Sequence, residues 1–339
     1  MAESAYTDAA GSTGAGSAPF APSAVDVVVI GGGPAGLSAA LNLGRARASV
    51  VLVDAGRPRN AATLRSHGYL TRDGIPPIEL RKLAHAELAP YTNVRVLDRT
   101  VATRVSQVDA ADGMRFTVAL SGRGAATLSG GGAGAPVVAA RAVVIATGLR
   151  ETLPDITGIR SFYGMSLFSC AACDAWELQG RRLALIGETP DLASRARLIA
   201  RWTDHLTVFT NAAPVIDAAD EAELVASGVT VERRAVAELV GERGDLSAVV
   251  LTDGGRVAIE GGFVRPHWEP ALDFLDTIDV DRDEAGHLRT DRSGRTSVPG
   301  LYSAGDASSG PQQLIVAAGQ GARVAAVLVH DQVGVTTSH

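Results

Sequence analysis

The chain carries, at residues 25–36, the segment Val25-Asp26-Val27-Val28-Val29-Ile30-Gly31-Gly32-Gly33-Pro34-Ala35-Gly36. Its first half is a continuous run rich in β-branched residues, which is typical of a strand buried in a parallel sheet. Leu37 to Leu43 then predicts a helix of small residues, and Ala48 to Asp54 predicts a second strand that ends in an acid. Strand, glycine turn, helix, strand and acid follow one another in the order of a dinucleotide-binding unit.

Each glycine of this turn has its own predicted role. Gly31 permits the tight turn, Gly33 lets a pyrophosphate approach the backbone, and Gly36 lets the helix pack closely on the strand. The N-terminus of the helix presents its positive end to the phosphates. Asp54 can accept a hydrogen bond from a ribose 2′-hydroxyl and would repel a 2′-phosphate, so the site favours FAD or NAD over NADP. The alternative is a glycine turn in a β-α-β unit that binds no ligand.

Length and composition limit the classes of protein that fit. The 339 residues are 46% hydrophobic and include 38 glycines, which favours an α/β protein of roughly two domains with a large core. The net charge of -6 and the absence of a concentrated basic run argue against nucleic acid or an anionic membrane as a partner. No apolar run is predicted to span a membrane. Residues 1–24 lack the features of a signal peptide, so we expect a disordered tail and a cytoplasmic protein.

Further segments extend the α/β pattern. Ala142 to Gly148 predicts a buried strand closing on a turn, and Arg182 to Gly187 begins a second strand-turn-helix unit that returns through Leu206 to Phe209. Gly300 to Asp306 predicts a third glycine-marked strand, followed by an apolar helix at Leu314 to Leu328. The remaining predictions are an extended loop at 57–77, a helix at 78–88, antiparallel strands between 94 and 120, and a flexible hairpin loop at 121–136.

The two cysteines of the chain, Cys170 and Cys173, are three residues apart. They are too few to close a zinc site without other ligands, and we predict no metal. A C-x-x-C pair cycles between dithiol and disulfide, and in the cytoplasm it is more often catalytic than structural. Asp174 follows the second cysteine directly and is a candidate proton shuttle. Its alternative role is that of a helix N-cap.

Four motifs, in family order, resemble those of the thioredoxin reductase-like flavoproteins. They are the glycine turn, Ala146-Thr147-Gly148, the C-x-x-C-D segment and Ala304-Gly305-Asp306, and the resemblance covers residues 25–328. It implies FAD as the cofactor, with Asp306 at the ribityl or pyrophosphate region and Gln312 and Gln313 at the pyrimidine end of the flavin. The alternative for the two glutamines is a polar first turn of the following helix. The implied cofactor residues are Gly31, Gly33, Pro34, Ala35, Gly36, Asp54, Asn60, Val101, Ala146, Thr147, Gly148, Gly305, Asp306, Gln312 and Gln313.

The same resemblance implies the architecture. We expect an α/β protein of two Rossmann-like domains with three-layer ββα architecture. The FAD-binding domain is discontinuous, at 25–153 and 264–335, and a cysteine-bearing domain at 154–263 is inserted into it. A homodimer is also implied.

The turn of the second unit departs from the family pattern. In thioredoxin reductases it binds NADPH, and here it is Gly187-Glu188-Thr189-Pro190-Asp191-Leu192. Thr189 and Leu192 replace small residues, Glu188 and Asp191 add negative charge, and Pro190 removes an N–H donor. Residues 210–214, after the next strand, contain no Arg to hold a 2′-phosphate. We therefore predict that NADPH is not bound, unless Arg195 or Arg197 supplies the basic charge.

A dithiol beside a flavin, without a nicotinamide site, predicts that electrons enter from a substrate dithiol. The chain thus resembles the dithiol oxidases of the holomycin and gliotoxin type. The resemblance implies oxidation of a small-molecule dithiol to an intramolecular disulfide, with O2 as acceptor and H2O2 as product, in the biosynthesis of a disulfide natural product or in self-protection against it. A substrate thiolate would attack Cys170, and Cys173 would leave next to the flavin. The alternatives are a disulfide reductase fed by NADPH or ferredoxin and a flavin redox sensor.

Three further side chains have open roles. His67 lies in the loop at 57–77, either as a base in the substrate pocket or as a surface or loop-stabilising residue. His267 partly matches a histidine motif of the family. Trp176, just after the cysteines, is predicted to be a packing residue, with stacking on a flat substrate as the alternative.

Overall fold

The computed structural model describes residues 23–128 and 135–335. Most of the predicted tail at 1–24 therefore lies outside the described residues, and Ala24 already begins the first strand. The predicted hairpin loop at 121–136 lies partly outside them as well, at residues 129–134.

A seven-stranded sheet organises the first part of the described chain, and its last strand comes from near the C-terminus. Its strands are β1 (Ala24–Ile30), β2 (Val50–Asp54), β3 (Val94–Asp98), β4 (Thr100–Gln107), β5 (Phe116–Gly122), β6 (Val137–Ile145) and β17 (Leu301–Ser303). The order is β3-β2-β1-β6-β5-β4, and β17 pairs with the second half of β6. β3, β2, β1, β6 and β17 are parallel, whereas β4 and β5 join as antiparallel neighbours. The prediction of antiparallel pairing is therefore wrong for β3, which continues the parallel half of the sheet.

The alternation of side chains along β1 explains the three layers. Val28 and Ile30 face a core that includes residues of β4 and β5, whereas Val27 and Val29 face the helices on the other side. Because successive side chains of a strand point to opposite faces, an all-apolar strand must be covered on both. The covering helices are α1 (Pro34–Arg45), α2 (Pro77–Leu88) and α7 (Leu314–Gln332).

Helix α7 is long and apolar enough to meet the length and hydropathy criteria for a membrane span. The expectation that no apolar run reaches that length is therefore wrong by that test. In the fold, α7 packs against α1 so closely that a Cβ at Gly321 would lie 2.0 Å from the carbonyl oxygen of Ala35. Val324, Ala325 and Leu328 are buried in the same core. Its apolar character thus has an explanation in packing within the protein.

A second group of sheets carries the cysteine segment. The five-stranded parallel sheet consists of β8 (Leu167–Phe168), β9 (Leu183–Gly187), β10 (Leu206–Phe209), β11 (Thr230–Glu232) and β15 (Gly262–Arg265), in the order β11-β10-β9-β15-β8. A three-stranded antiparallel sheet consists of β12 (Val236–Glu242), β13 (Asp245–Leu251) and β14 (Arg256–Ala258). The helices of this part are α3 (Ile159–Phe162), α4 (Ala171–Asp174), α5 (Leu192–Ile199) and α6 (Ala218–Ala226). The second strand-turn-helix unit predicted from Arg182 to Phe209 corresponds to β9, α5 and β10.

Two antiparallel strands, β7 (Leu149–Thr152) and β16 (His267–Pro270), form the connection between these parts. β15 ends at Arg265, two residues after the predicted end of the inserted domain at 263. The domain limits stay predictions. The connection places chain segments from both sides next to each other, which brings the glycine turn of the first sheet and the cysteine segment to one cavity.

Candidate active site

A cavity of about 1310 Å³ lies between the first sheet and the cysteine segment. It is lined by all three predicted catalytic residues and by every predicted cofactor residue except Gly36. They are Cys170, Cys173, Asp174, Gly31, Gly33, Pro34, Ala35, Asp54, Asn60, Val101, Ala146, Thr147, Gly148, Gly305, Asp306, Gln312 and Gln313. Residues spread over most of the chain therefore meet in one place.

The glycine turn has the geometry of a phosphate cradle. Gly31 has a φ of +119°, and a Cβ there would lie 2.1 Å from the carbonyl oxygen of Ala146, so only glycine fits. A Cβ at Gly36 would lie 1.8 Å from the carbonyl oxygen of Gly31, so α1 packs directly against the turn at this residue. Gly36 is therefore covered by the turn and does not line the cavity. At Gly33 a Cβ would meet nothing within 4 Å, so the turn borders open space where a pyrophosphate would lie.

Asp54, at the end of β2, is buried and ionised. Burial alone would raise its pKa, but the nearby side chains of His85 and Arg81 and a hydrogen bond from the backbone N–H of Gly56 outweigh this effect and lower the pKa to about 2. The Gly56 N–H donates to Oδ1 at 2.8 Å, and Arg81 forms an ion pair with Oδ2. A carboxylate held in this way is an acceptor for a ribose hydroxyl.

Asp54, His85 and Asp98 also place three possible metal-ligand atoms within 4.8 Å of one another. The guanidinium of Arg81 contacts both carboxylates, at Asp54 and, 3.5 Å away, at Asp98. The positive charge of Arg81 thus offsets part of their negative charge, and we assign no metal to the cluster.

The remaining cofactor residues present polar groups to the same space. Thr147 Oγ1 is buried and has no hydrogen-bond partner in the described part of the chain, so its hydroxyl is available to a ligand. Burial raises the pKa of the Asp306 carboxyl, which accepts a hydrogen bond from Arg59 at 2.8 Å. Gln313 is the N-cap of α7 without a capping bond from its side chain, and Gln312 precedes it. Both the cofactor role of the two glutamines and the alternative of a polar first turn stay predictions, and the set as a whole fits a dinucleotide such as FAD.

Cys170 and Cys173 form a disulfide, with 5.3 Å between their Cα atoms. Cys170 is the N-cap of α4, and its carbonyl accepts the N–H groups of Cys173 and Asp174. Both cysteines are half-buried and line the cavity. The short helix thus turns the chain so that both sulfur atoms lie on one side, as a dithiol–disulfide cycle requires.

Asp174 has the environment of a proton-transfer group. Burial raises its pKa to about 7, His67 opposes the shift and Glu177 adds to it. A carboxyl with such a pKa can both accept and release a proton near neutrality. Its alternative role as an N-cap is wrong, because Asp174 is the last residue of α4.

The three side chains with open roles lie in different places. His67 lines the cavity with its side chain 18% exposed, and its Nδ1 is 3.6 Å from carboxylate oxygens of both Asp73 and Glu177. His267 is 68% exposed and does not belong to the cavity lining. Trp176 is 70% exposed, so the prediction that it is a packing residue is wrong for the chain as described.

Sequence reasoning missed a charged and aromatic network on the connecting strands. Trp268 on β16 donates from Nε1 to Glu151 on β7 at 2.9 Å, and the guanidinium groups of Arg265 and Arg59 lie 4.2 Å and 5.7 Å from the centroid of its ring. Arg59 in turn reaches Asp306. The available signal was a concentration of charged residues and a tryptophan at the two crossings between the predicted domains.

The turn after β9 is filled by paired side chains, which are its own Thr189 and Asp191, Arg195 of α5 and Arg265 of β15. Asp191 accepts from Arg265 at 2.6 Å, from Arg195 at 3.0 Å and from Thr189 at 2.7 Å. Burial alone would raise the pKa of Asp191, but these bonds lower it to about 2. A Cβ at Gly187 would lie 2.7 Å from the side chain of Arg265. Gly187, Glu188 and Thr189 are not part of the cavity lining.

A dinucleotide cradle and a redox-active cysteine pair that share one cavity define a flavin-dependent disulfide oxidoreductase. The chain belongs to the pyridine nucleotide-disulphide oxidoreductase family, whose model matches residues 25–321. The expectation of a thioredoxin reductase-like α/β fold is confirmed.

The chain is similar to several named proteins. It shares 32% sequence identity with the crystal structure of a putative thioredoxin reductase from Bacillus anthracis, with a TM-score of 0.81 and coverage of 91% of this chain and 99% of that one. It shares 35% identity with the crystal structure of HlmI, also at a TM-score of 0.81, covering 92% of this chain and 93% of that one. A probable thioredoxin reductase of Arthroderma benhamiae is 33% identical over 186 residues, which are 55% of this chain but 43% of that relative.

Proposed function

We propose that the protein oxidises a small-molecule dithiol to an intramolecular disulfide and uses O2 as the final electron acceptor, forming H2O2. A role in the biosynthesis of a disulfide natural product of the holomycin type, or in protection against one, would use this reaction. The observation that carries the proposal is the contrast between two turns. The Gly33 turn borders open space in the cavity that the cysteine pair also lines, whereas the Gly187 turn is filled by the carboxylate of Asp191 and the arginines paired with it, Arg265 and Arg195.

The filled turn supports an electron source other than NADPH. Asp191 would place a carboxylate near nucleotide phosphates, and the nearby cations that could bind a phosphate are already engaged in ion pairs. Arg265 and Arg195 pair with Asp191, and Arg197 pairs with Asp220 and Glu223. A 2′-phosphate needs cations that are free to form bidentate contacts. Binding NADPH would therefore require these ion pairs to be broken.

The reaction balances with the residues of the cavity. One substrate thiol loses its proton to Asp174, and its thiolate attacks Cys170 Sγ, so that the Cys170–Cys173 bond breaks and Cys173 takes the electron pair. The second substrate thiol then attacks the substrate sulfur of the mixed disulfide; the bond from that sulfur to Cys170 breaks, Cys170 leaves with the electron pair and takes the proton of the second thiol, and the product departs as a disulfide. Two electrons and two protons have moved from the substrate to the enzyme. FAD, when bound, would accept the two electrons from the cysteine pair and pass them to O2, which takes up the two protons to form H2O2.

The size of the cavity supports a small substrate. At about 1310 Å³ it exceeds the volume of a common ligand pocket, which is roughly 300–1,000 Å³. A bound dinucleotide would therefore leave space for a second, small molecule beside the cysteines.

A second candidate function is disulfide reduction fed by NADPH. The relatives from Bacillus anthracis and Arthroderma benhamiae favour it, since they are described as a putative and a probable thioredoxin reductase. The two functions run the same cysteine chemistry in opposite directions. They differ in which molecule reduces the flavin.

An anaerobic titration of the holoprotein separates them. We expect dithiothreitol, used as the probe dithiol, to bleach the flavin absorbance, and air to restore it with one H2O2 per dithiol. Cys173→Ser should abolish bleaching while leaving the flavin bound. Rapid bleaching by micromolar NADPH would contradict the proposal and favour the reductase. Reduction without oxygen consumption would favour a redox sensor.

We also propose a cytoplasmic homodimer. The redox-active cysteine pair supports the cytoplasmic location, because cysteine pairs in a reducing compartment are usually catalytic. Light scattering after size-exclusion chromatography tests the oligomeric state, and a mass of one chain at micromolar concentration would contradict the dimer.

A further inference from the structure

The link between strand β8 and helix α4 consists of Ser169 and Cys170. The pairing of β8 with β15 ends at Phe168, and α4 begins at Ala171. With four residues, α4 is too short to be stable by itself. The direction in which Cys170 presents its sulfur therefore depends on contacts that this link makes with the rest of the protein.

One such contact is formed by the side chain of Ser169. Its Oγ lies 3.1 Å from the hydroxyl oxygen of Tyr163, and a carboxylate oxygen of Glu151 lies 2.6 Å from the same hydroxyl. A tyrosine hydroxyl has one hydrogen to donate, and a carboxylate can only accept. The Tyr163 hydroxyl therefore donates to Glu151, and the Ser169 hydroxyl donates to Tyr163.

Tyr163 is itself held from several sides. Burial, together with the bond to Glu151, raises the pKa of its hydroxyl, which stays protonated in neutral solution. Its backbone forms a bridge with Leu167, and a Cβ at the neighbouring Gly164 would lie 2.2 Å from the carbonyl oxygen of Ala62. The phenol ring thus has little freedom to move, and its hydroxyl is a fixed partner for the cysteine segment.

Glu151 connects this contact to the cofactor cradle. Its side chain is 12% exposed and also accepts the indole N–H of Trp268 at 2.9 Å. The guanidinium of Arg59 lies 3.8 Å from the Glu151 carboxylate and bonds to Asp306 at 2.8 Å. These contacts form one continuous chain from the Asp306 carboxyl to the residue before Cys170.

We propose that Tyr163 is a positioning residue of the cysteine pair: by holding the hydroxyl of Ser169, it fixes the orientation in which Cys170 Sγ meets an incoming thiolate. In that step the thiolate bonds to Cys170 Sγ, the bond between Cys170 and Cys173 breaks, and Cys173 takes the electron pair. Tyr163 exchanges no proton. The inference deepens the proposed function and rests on it for the nature of the attacking thiol.

Orientation matters for this step because the attacking sulfur must be aligned with the S–S bond that breaks. The rate also depends on which of the two sulfurs is attacked and on access to it. Without the Tyr163 hydroxyl, the link before α4 is free to rotate, and fewer molecules present Cys170 in the reactive direction. The disulfide should then open more slowly.

Opening of the disulfide by dithiothreitol can be followed in the anaerobic holoprotein by trapping free thiols with N-ethylmaleimide and measuring the mass of the chain. We expect Tyr163→Phe to slow the opening by about twofold to tenfold, the change in population that the loss of one hydrogen bond allows. Ser169→Ala should have the same effect. The double variant should be no slower than either single variant, because one contact is lost in all three. Since Tyr163 does not titrate there, the slowing should be constant from pH 7 to pH 9.

Tyr302→Phe is the matched control. Tyr302 is another buried tyrosine that donates to a carboxylate, that of Asp331, at 2.7 Å, and it does not line the cavity. Its loss should lower the thermal midpoint about as much as Tyr163→Phe does but leave the opening rate unchanged. An unchanged rate in Tyr163→Phe, equal slowing in Tyr302→Phe, additive effects in the double variant or a slowing that varies with pH would overturn the inference.

Failure of the proposed function would appear differently. The wild-type holoprotein would then consume no oxygen with dithiothreitol, or micromolar NADPH would bleach its flavin rapidly. The trapping experiment needs neither oxygen nor NADPH, so the order of the opening rates would still decide whether Tyr163 positions Cys170.

Discussion

Three aspartates of this chain illustrate how surroundings assign different tasks to one side chain. Asp54 and Asp191 are both partly removed from water, and hydrogen bonds from cationic partners keep their pKa values at about 2. Asp174 is also half-buried, but burial and Glu177 prevail over His67 and raise its pKa to about 7. The first two are permanent carboxylates, suited to holding a ribose hydroxyl or an arginine. The third is suited to proton transfer.

A raised carboxyl pKa has a consequence for stability. The ordinary value is 3.8, so between about pH 4 and pH 7 the folded protein binds more protons at Asp174 than the unfolded chain. Stability therefore falls as the pH rises through this window. We expect Asp174→Asn to increase the free energy of unfolding at pH 8 by ~2 kcal/mol, about half the full linkage value because the carboxyl keeps some solvent contact.

Urea unfolding of wild type and variant at pH 4 and pH 8 measures this difference. The gain should be present at pH 8 and vanish near pH 4. Asp155→Asn, at an exposed carboxyl, is the matched control and should show no gain at either pH. An Asp174→Asn protein no more stable than wild type at pH 8 would contradict the assigned environment.

The β1–turn–α1 element combines two kinds of glycine with different physical reasons. Gly36 is needed because the helix backbone lies against the turn, with no room for a Cβ. Gly33 is not needed by the fold, since a Cβ there would contact no protein atom within 4 Å. The space in front of Gly33 is instead what a ligand phosphate requires.

This difference predicts opposite outcomes for two alanine substitutions. Gly33→Ala should fold with wild-type stability but lose FAD affinity by about tenfold or more, because the added methyl occupies the phosphate position. Gly36→Ala should destabilise the protein by about 3 kcal/mol, since α1 must move away from the turn.

Flavin content after purification and the thermal midpoint of the protein without cofactor measure the two effects separately. A Gly33→Ala protein that retains full flavin occupancy would show that the phosphates lie elsewhere. Gly36→Ala with an unchanged midpoint would contradict the close packing of α1.

Across the molecule, the strands β7 and β16 join the parts that carry the cofactor cradle and the cysteines. Trp268 donates a hydrogen bond to Glu151 across the strand pair, and two arginines contact its ring. Those arginines extend the contact to Asp306 on one side and to Asp191 of the filled turn on the other. The network thus ties both turns to one connection, which favours an arrangement that keeps the cysteines at the cofactor cavity.

Removing the tryptophan should loosen this connection. We expect Trp268→Ala to speed amide hydrogen exchange in β7 and β16 by about tenfold, because a hydrogen bond and two cation–π contacts are lost. Trp202→Ala, which removes a tryptophan stacked by Arg201 at 5.8 Å outside the cavity lining, is the control and should leave these strands unchanged. Equal exchange in Trp268→Ala and wild type would show that the network does not stabilise the connection.

Local patterns were sufficient for much of this protein. The β-branched run before Gly31, the spacing of the glycines and the acid at Asp54 predicted the cofactor unit, because backbone conformation and strand burial depend on near neighbours in the chain. The spacing of Cys170 and Cys173 likewise predicted a redox pair. These features needed no knowledge of distant residues.

What only the tertiary structure decided depends on residues far apart in the chain. The pairing of Arg59 with Asp306 joins positions separated by 247 residues, and Arg265 reaches Asp191 across 74. The burial of Asp174, the approach of His67 to the cysteine segment and the exposure of Trp176 likewise result from how loops and strands pack together. Desolvation and ion pairing act through space between residues that are distant in the chain. The proton affinity of Asp174 and the filling of the Gly187 turn could therefore be read only from the folded structure.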